Sequence, residues 1–466
     1  MSDISNALIY GTPEEARRLI ETGSPVNAQD QFGFTPLIEA ILYHQIDIAE
    51  LLLQYGASVD SVDITGATAL SWAVEHSNVD LCKLLLKYGA NPNHYTADGQ
   101  PVLAKPLLRS QNELLDLLVH SGANPIFGLD YIQAKILGHR FELVQKADVI
   151  GPKGEFVTLS FEGFYLEFTL NLLFRSLGSF SQEILAKKPQ LQPLVRKILR
   201  ALQNANLMMA HKYFLDSQQA EKIIPEDLKK LFNEPLVIAP VSYDGHAITF
   251  VKWGNLLAKC DRGVNSLTDT VTLYQAQNAV ALNPEFLADL VFTAHSDEYI
   301  QKDIKQMLNL NAVATLPAQE QVAGNCSWAN VEAAIPAMLL ILSVQGKFHD
   351  RVAVARAKKQ AMDFYQEWIE WDKDRVLDNA LKDFLHSKGL RRRCKAEILC
   401  AILAQRCHAD KPRDAKRAEK ILDSLNDIEK HTVLKTFWQV YGSSQSGEIG
   451  ENFRKLLKLA PNGIDL

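Results

Sequence analysis

Four polar residues in the middle of this 466-residue chain have the types and spacing of thiol chemistry. Cys326 follows Gly324-Asn325 and opens an apolar helix within PAQEQVAGNCSWANVEAAIPAMLLIL (317–342). A cysteine at a helix N-terminus has its thiolate favoured by the macrodipole and by unpaired amides, and a nearby histidine lowers its pKa further. Gln321, five residues earlier, carries a side-chain amide able to donate to an oxyanion, with Gln319 competing for that role.

The histidine comes from a different segment. LVIAPVSYDGHAITFVKWGNLLAKCDRG (236–263) reads as a buried strand, a Tyr-Asp-Gly turn, and a hairpin joined at Gly254-Asn255. A two-residue turn sets Trp253 opposite Leu256, and so Ile248 opposite Asp261 and His246 opposite Gly263. Asp261 is then the diagonal neighbour of His246 on the same sheet face, about 7–8 Å away at the backbone. A carboxylate placed there fixes the histidine tautomer and stabilises an imidazolium. The meeting of this pair with Cys326, 80 residues downstream of His246, is a tertiary expectation.

The elements around these residues fall into three parts. At roughly 150 residues per domain, a chain of this length implies about three. Hydrophobic residues make up 47% and charged residues 22%, which excludes wholesale disorder. Lys plus Arg number 49 against 55 Asp plus Glu, a formal charge of −6. That balance offers no global basic footprint, and no direct nucleic-acid binding is expected. Six cysteines are too sparse for a disulfide framework. The opening MSDISNALIYGTPEEARR predicts no secretory signal peptide. The most apolar stretch, 333–344, is too short to span a bilayer and reads as a buried helix, so no membrane insertion is expected.

Gly23, Gly56, Gly89 and Gly122 recur every 33 residues, as do Gly33, Gly66 and Gly99. Each unit runs from a turn into a short helix (TPLIEAIL, TALSWAVE) and then a Leu-rich helix ending in Gly-Ala. This period and Thr35-Pro36-Leu37 resemble the ankyrin repeat, whose units share one core and bind proteins through their loops and concave face. About four repeats are expected over 1–141. The last is degenerate because Pro101 and Pro106 interrupt its first helix, and 130–141 is a remnant cap. Asn93 follows Leu85 by eight residues, a spacing resembling sites of ankyrin asparagine hydroxylation. The ordinary role of such an asparagine is a bond to its own turn.

Downstream, 155–174 starts with a strand and 192–214 is a helix by its apolar spacing. Residues 345–466 read as almost wholly helical. Cys394, Cys400, Cys407 and His408 lack zinc-ligand spacing, the cysteines are expected in the core, and neither metal nor cofactor is expected. KGLRRRCK (388–395) resembles a nuclear localisation signal, although such clusters usually form a solvated helix face.

The order His246, Asp261, Gln321, Cys326 and the Gln-x4-Cys spacing resemble the clan of cysteine peptidases that includes ubiquitin-like-protein proteases, adenovirus protease and the YopJ-type acetyltransferases. GNCSWAN also resembles the papain-like nucleophile segment, but papain enzymes place Cys before His. The clan's usual aromatic after the histidine is Ala247 here. The resemblance implies that Cys326 attacks a carbonyl and His246 shuttles the proton. Asp261 orients the imidazole, and Gln321 holds the oxyanion together with the Cys326 amide. The expected fold class is thus multidomain: an ankyrin solenoid (1–141), an α+β papain-like or ubiquitin-like-protease-like domain (142–344), and an all-α C-terminal region (345–466). The whole chain is similar to the ankyrin-repeat effectors of Legionella. That similarity implies delivery by a type IV secretion system into a host cell and a host protein partner on the repeats, a nuclear one included. Two other readings stay open: a non-catalytic scaffold that sequesters or redirects a host protein, and a YopJ-like acyltransferase.

Overall fold

The computed structural model describes residues 11–183, 188–218, 225–243, 245–263, 270–318, 324–442 and 447–459, with the backbone alone over 213–218. Its first part stacks helices α1 (Pro13–Glu21), α2 (Pro36–Leu42), α3 (Ile46–Gln54), α4 (Ala69–Glu75), α5 (Val79–Lys87), α6 (Ala104–Arg109) and α7 (Asn112–His120). The Thr35-Pro36 start works as a helix cap. The Thr35 hydroxyl accepts the Ile38 amide at 3.3 Å, and proline occupies a first-turn position where no amide is needed. Thr68 caps Ser71 in the same way at 3.2 Å. Leu37, Ile41, Leu52, Leu70 and Leu85 are fully buried in one core that runs through the stack.

Asn93 does more than serve its own turn. Its Nδ2 donates to Gly122 O at 2.8 Å and its Oδ1 accepts the Asn124 amide at 2.7 Å, so the side chain ties one repeat to the next. Asn27 makes the equivalent bridge to Gly56 and Ser58. The prolines do shorten α6, to six residues. The segment expected as a remnant cap is instead part of a complete helix, α8 (Pro125–Arg140), capped by Asn124 and buried along most of its length.

Helix α8 is where the three parts meet. Phe127, Tyr131 and Leu137 share a core with the hairpin β1 (Lys146–Ile150)–β2 (Phe156–Ser160) and with C-terminal helices α15 (Gly389–Arg406), α16 (Pro412–Ser424) and α18 (Gly447–Leu457). Gly99, at φ 80°, seats the last repeat loop on β2, where a Cβ would stand 2.7 Å from Thr158 O.

Helices α9 (Leu166–Glu183), α10 (Gln192–Gln218) and α11 (Glu226–Phe232) lead into an antiparallel meander. Its strands are β3 (Leu236–Tyr243), β4 (His246–Trp253), β5 (Leu256–Cys260), β6 (Val271–Ala276) and β7 (Leu310–Leu316), hydrogen-bonded in chain order, with α12 (Pro284–Phe292) in the connection before β7. The β4–β5 register pairs Trp253 with Leu256 and Thr249 with Cys260, as the turn chemistry requires. Gly254 has φ 58° and Asn255 lies outside the positive-φ region, as a type II′ turn demands. Helix α13 (Cys326–Val344) packs across β4 and β5. It is long and apolar enough by composition to cross a membrane, but here it is buried inside the core.

The expected boundary at 344/345 does not separate two cores. Helix α14 (Arg351–His386) buries Phe364 and Trp368 in the sheet core, and Leu377 and Phe384 in the α8 core. The basic run 388–395 lies on α15. Arg391 and Lys395 pair with Asp130 of α8 at 2.6 and 2.7 Å, and Arg392 pairs with Glu429. Three of its five cations therefore dock helices together rather than stand free. A further helix, α17 (Lys435–Tyr441), completes this layer.

Candidate thiol site

The meander and α13 converge on one constellation. The β3–β4 register pairs Tyr243 with His246, the first residue of β4, whose diagonal neighbour is Asp261: His246 Nε2 lies 3.1 Å from Asp261 Oδ1. Asp261 also accepts the Gly263 amide at 3.2 Å and faces Lys259 Nζ at 3.3 Å. Burial opposes ionisation of Asp261, but the His246 bond, the Lys259 charge and the Gly263 amide together hold its carboxyl well below the usual range.

Cys326 completes the set from the start of α13. Its thiol is hydrogen-bonded to His246 and to the backbone amides of Ala247 and Ser327. His246 Nε2 faces Asp261, which leaves Nδ1 as the ring nitrogen that this carboxylate does not use. Burial alone would raise the thiol pKa; the His246 bond and the two amides outweigh it, and the thiol sits below its ordinary value. The bond to Asp261, reinforced by the bond to Cys326, lifts His246 to about 9 against the burial that opposes it. The lowered thiol and the raised imidazole both shift the pair toward thiolate and imidazolium. His246 keeps 29% of its side chain exposed, so the site is open to a ligand. Cys326, His246 and Asp261 thus come together. Gln321 and its competitor Gln319 lie outside the described residues. Asn93 lies in the repeat array, on the bridge between repeats.

Sequence reasoning passed over the residues that hold this geometry. Asn330, one helical turn after Cys326 and 1% exposed, donates to Ala247 O at 2.5 Å and accepts the Arg262 amide at 2.6 Å. One amide therefore clasps the residues that follow both His246 and Asp261. Glu332 receives Arg140 of α8, Trp328 Nε1 at 3.3 Å and the Tyr365 hydroxyl of α14 at 3.0 Å. His139 of α8 bonds Asn325 at 2.6 Å and stacks on Trp328 with centroids 5.6 Å apart. Burial pushes this imidazole down to about 3, so it stays neutral. A signal was present: between Trp328 and Leu342 the only polar residues are Asn330 and Glu332, and a polar group in an apolar helix needs a partner.

Gly324 shapes the approach to Cys326. At φ 76° its carbonyl accepts the Gly163 amide at 2.9 Å, and a Cβ there would collide with the Glu162 side chain. Lys135 of α8 donates to the carbonyls of Ser160, Glu162 and Gly163 at 2.9, 2.7 and 2.6 Å, fixing the loop that Gly324 touches. The end of the repeat array thus braces the residues just before Cys326 through Lys135 and His139, one turn apart on the same helix face.

The ankyrin-repeat family matches residues 4–96 with three copies. The solved structure of the Legionella effector AnkH superposes with a TM-score of 0.80 at 36% sequence identity, covering 98% of this chain and 97% of that one. This chain belongs to the AnkH family. No curated protein sequence matches it. Ankyrin repeats are in general protein-interaction modules, and the similarity to the AnkH structure extends beyond them through the meander, α13 and the C-terminal helices.

Proposed function

We propose that this AnkH-family chain is a thiol hydrolase of the peptidase type that acts on a host protein gripped by its ankyrin repeats. The reading is carried by Cys326. Its thiol is lowered, whereas burial pushes the other five cysteines up: Cys82, Cys394 and Cys407 to about 12, with Cys260 and Cys400 raised as well. Of the six, the cysteine that departs in that direction is the one bonded to a histidine and to two backbone amides.

In the reaction the Cys326 thiolate forms a C–S bond to a carbonyl carbon, and the carbonyl electrons move onto oxygen. Collapse of that adduct breaks the bond to the leaving amine, which takes the His246 proton. His246 then removes a proton from water as the water attacks the thioester, releasing the acid and the thiolate. Asp261 keeps the imidazole aligned throughout. The Cys326 amide, at the first position of α13, and the Gln321 side chain are the proposed oxyanion donors. A sheet carrying the histidine, packed on a helix that starts with the cysteine, supports the papain-like assignment.

Likeness to a Legionella effector supports translocation into a host cell, with the type IV system as the proposed route. A nuclear destination draws no support from 388–395, where Arg391, Arg392 and Lys395 are engaged in ion pairs. Asn93 remains a proposed hydroxylation site.

The test is the pH dependence of Cys326 alkylation by iodoacetamide, followed by mass spectrometry in wild type and His246→Ala. The thiol-hydrolase reading expects an apparent pKa well below the reference of about 8.5, rising when His246 is removed. A slow, ordinary thiol indifferent to His246 would leave a scaffold. A labelled acyl group retained on an amine acceptor would assign acyl transfer instead.

A further inference from the structure

A cavity of about 620 Å³ lies behind the nucleophile helix, away from Cys326, His246 and Asp261. Its walls come from the end of α8, from Glu332 of α13, from α14 and from the stretch 406–414 that joins α15 to α16. That volume falls within the range of small-molecule sites, about 300–1,000 Å³.

The charge on its walls is unequal. The carboxylates that line it are already engaged. Glu142 pairs with Arg262, Glu332 with Arg140 and Arg262, Glu370 with Lys373 and Arg417, and Asp414 with Arg417. Among the described residues, Arg406, Lys411 and Arg413 have no carboxylate within ion-pair distance, and all three line one end of the cavity beside His408. Arg406 spends one nitrogen on the Glu142 carbonyl and leaves Nε without a partner. Burial, only partly offset by the Glu142 charge, draws its pKa below the usual range, as for a cation short of a counter-charge.

Two further observations point to an anion. The 13-residue helix α16 begins here with Lys411 at its N-cap, no side-chain cap, and Arg413 in a first turn whose one carboxylate, Asp414, is paired with Arg417. Cations at a helix N-terminus oppose the macrodipole, and an anion there relieves both the charges and the open amides. Arg140 also lines the cavity at 3% exposure; Glu332 and Asp372 meet its charge, and its buried Nε is left without a hydrogen-bond partner. Guanidinium forks and helix-start amides are the donors that suit phosphate oxygens.

We propose that this cavity binds a small molecule carrying clustered phosphates, held by Arg406, Lys411, Arg413 and the N-terminus of α16. The site is independent of the thiol chemistry. Its ligand is either a soluble polyphosphorylated compound or the phosphorylated headgroup of a lipid.

Calorimetric titration of the full chain with tripolyphosphate tests it, using wild type, Lys411→Glu, Arg413→Glu, Arg406→Gln and the remote control Lys230→Glu. Lys411 and Arg413 are exposed, so their variants keep the fold even if Arg406→Gln does not. The expected result is saturable one-to-one binding, weakened at least about tenfold (about 1.4 kcal/mol) by Lys411→Glu and by Arg413→Glu and unchanged by Lys230→Glu. Vesicles bearing a bisphosphorylated lipid separate the sources. Retention that is lost in Arg413→Glu assigns the headgroup, and tripolyphosphate binding without retention assigns the soluble compound. No saturable binding at millimolar tripolyphosphate, equal binding by all variants, or a preference for citrate overturns the proposal.

Discussion

Asp261→Asn isolates the charge that sets the His246 pKa. Asparagine keeps the shape and can still accept the Gly263 amide that Asp261 accepts at 3.2 Å, but it removes the carboxylate beside His246 Nε2. The bond to Asp261 is the largest contribution holding His246 at about 9, so the imidazole should fall toward its ordinary value of 6.5. At pH 7.5 a group with pKa about 9 is about 97% protonated, whereas one at about 6.5 is about 9% protonated. Without the imidazolium, Cys326 loses its strongest opposition to burial and its pKa climbs back. The share of reactive ion pair at pH 7.5 should therefore drop about tenfold, and the iodoacetamide rate with it. The rate should recover above about pH 9, where the thiol ionises unaided. The assay is mass-spectrometric alkylation from about pH 5 to 10, with circular dichroism to show that the variant is folded. A folded Asp261→Asn protein that alkylates at the wild-type rate at pH 7.5 would refute the assignment of Asp261 as the source of the imidazolium.

Asn330→Ala should strand two buried backbone groups, Ala247 O and the Arg262 amide, at about 1–3 kcal/mol each. Urea unfolding should show a loss of about 2–5 kcal/mol, with slower Cys326 alkylation in the fraction that remains folded. Glu332→Ala should remove one of the two carboxylates paired with each of Arg140 and Arg262, which keep Asp372 and Glu142, at a cost below the about 3–5 kcal/mol of a fully uncompensated buried charge, read as a lower melting temperature. Gly324→Ala forces a side chain to φ 76° and onto Glu162, so it should destabilise by about 1–2 kcal/mol at the least, and limited proteolysis should cut near 324 sooner. The His246 shift also sets a pH dependence of stability. A pKa raised from 6.5 to about 9 contributes stability that is fully present below 6.5 and lost as pH rises through about 9. The stability gap between wild type and His246→Gln should narrow over that window, and denaturant midpoints at pH 6, 7.5 and 9 measure it.

The repeat array was legible because its information is local and periodic. A 33-residue spacing of glycines, a Thr-Pro helix start and Leu-rich second helices each constrain their own neighbourhood. The His246–Asp261 pair was legible for a related reason. A two-residue Gly-Asn turn leaves a hairpin one register, and the register alone sets which residues stand diagonal. Apolar spacing likewise placed the helix that starts at Cys326. The meeting of Cys326 with His246 depends on α13 crossing β4 at its first residue, which is a matter of packing between segments far apart in the chain. The same holds for Asn330, whose two partners lie 83 and 68 residues away, and for α8, where Arg140 reaches Glu332 across 192 residues. A separate C-terminal domain was expected from a change of pattern. Helix α14 carries one apolar face through two cores, and a sequence pattern shows that a face is apolar without showing what covers it. Local spacing therefore determined the elements and the His246–Asp261 pairing. Tertiary packing decided that the end of the repeat array would brace the approach to Cys326 and that four carboxylates would be used up around a cavity whose remaining cations have none.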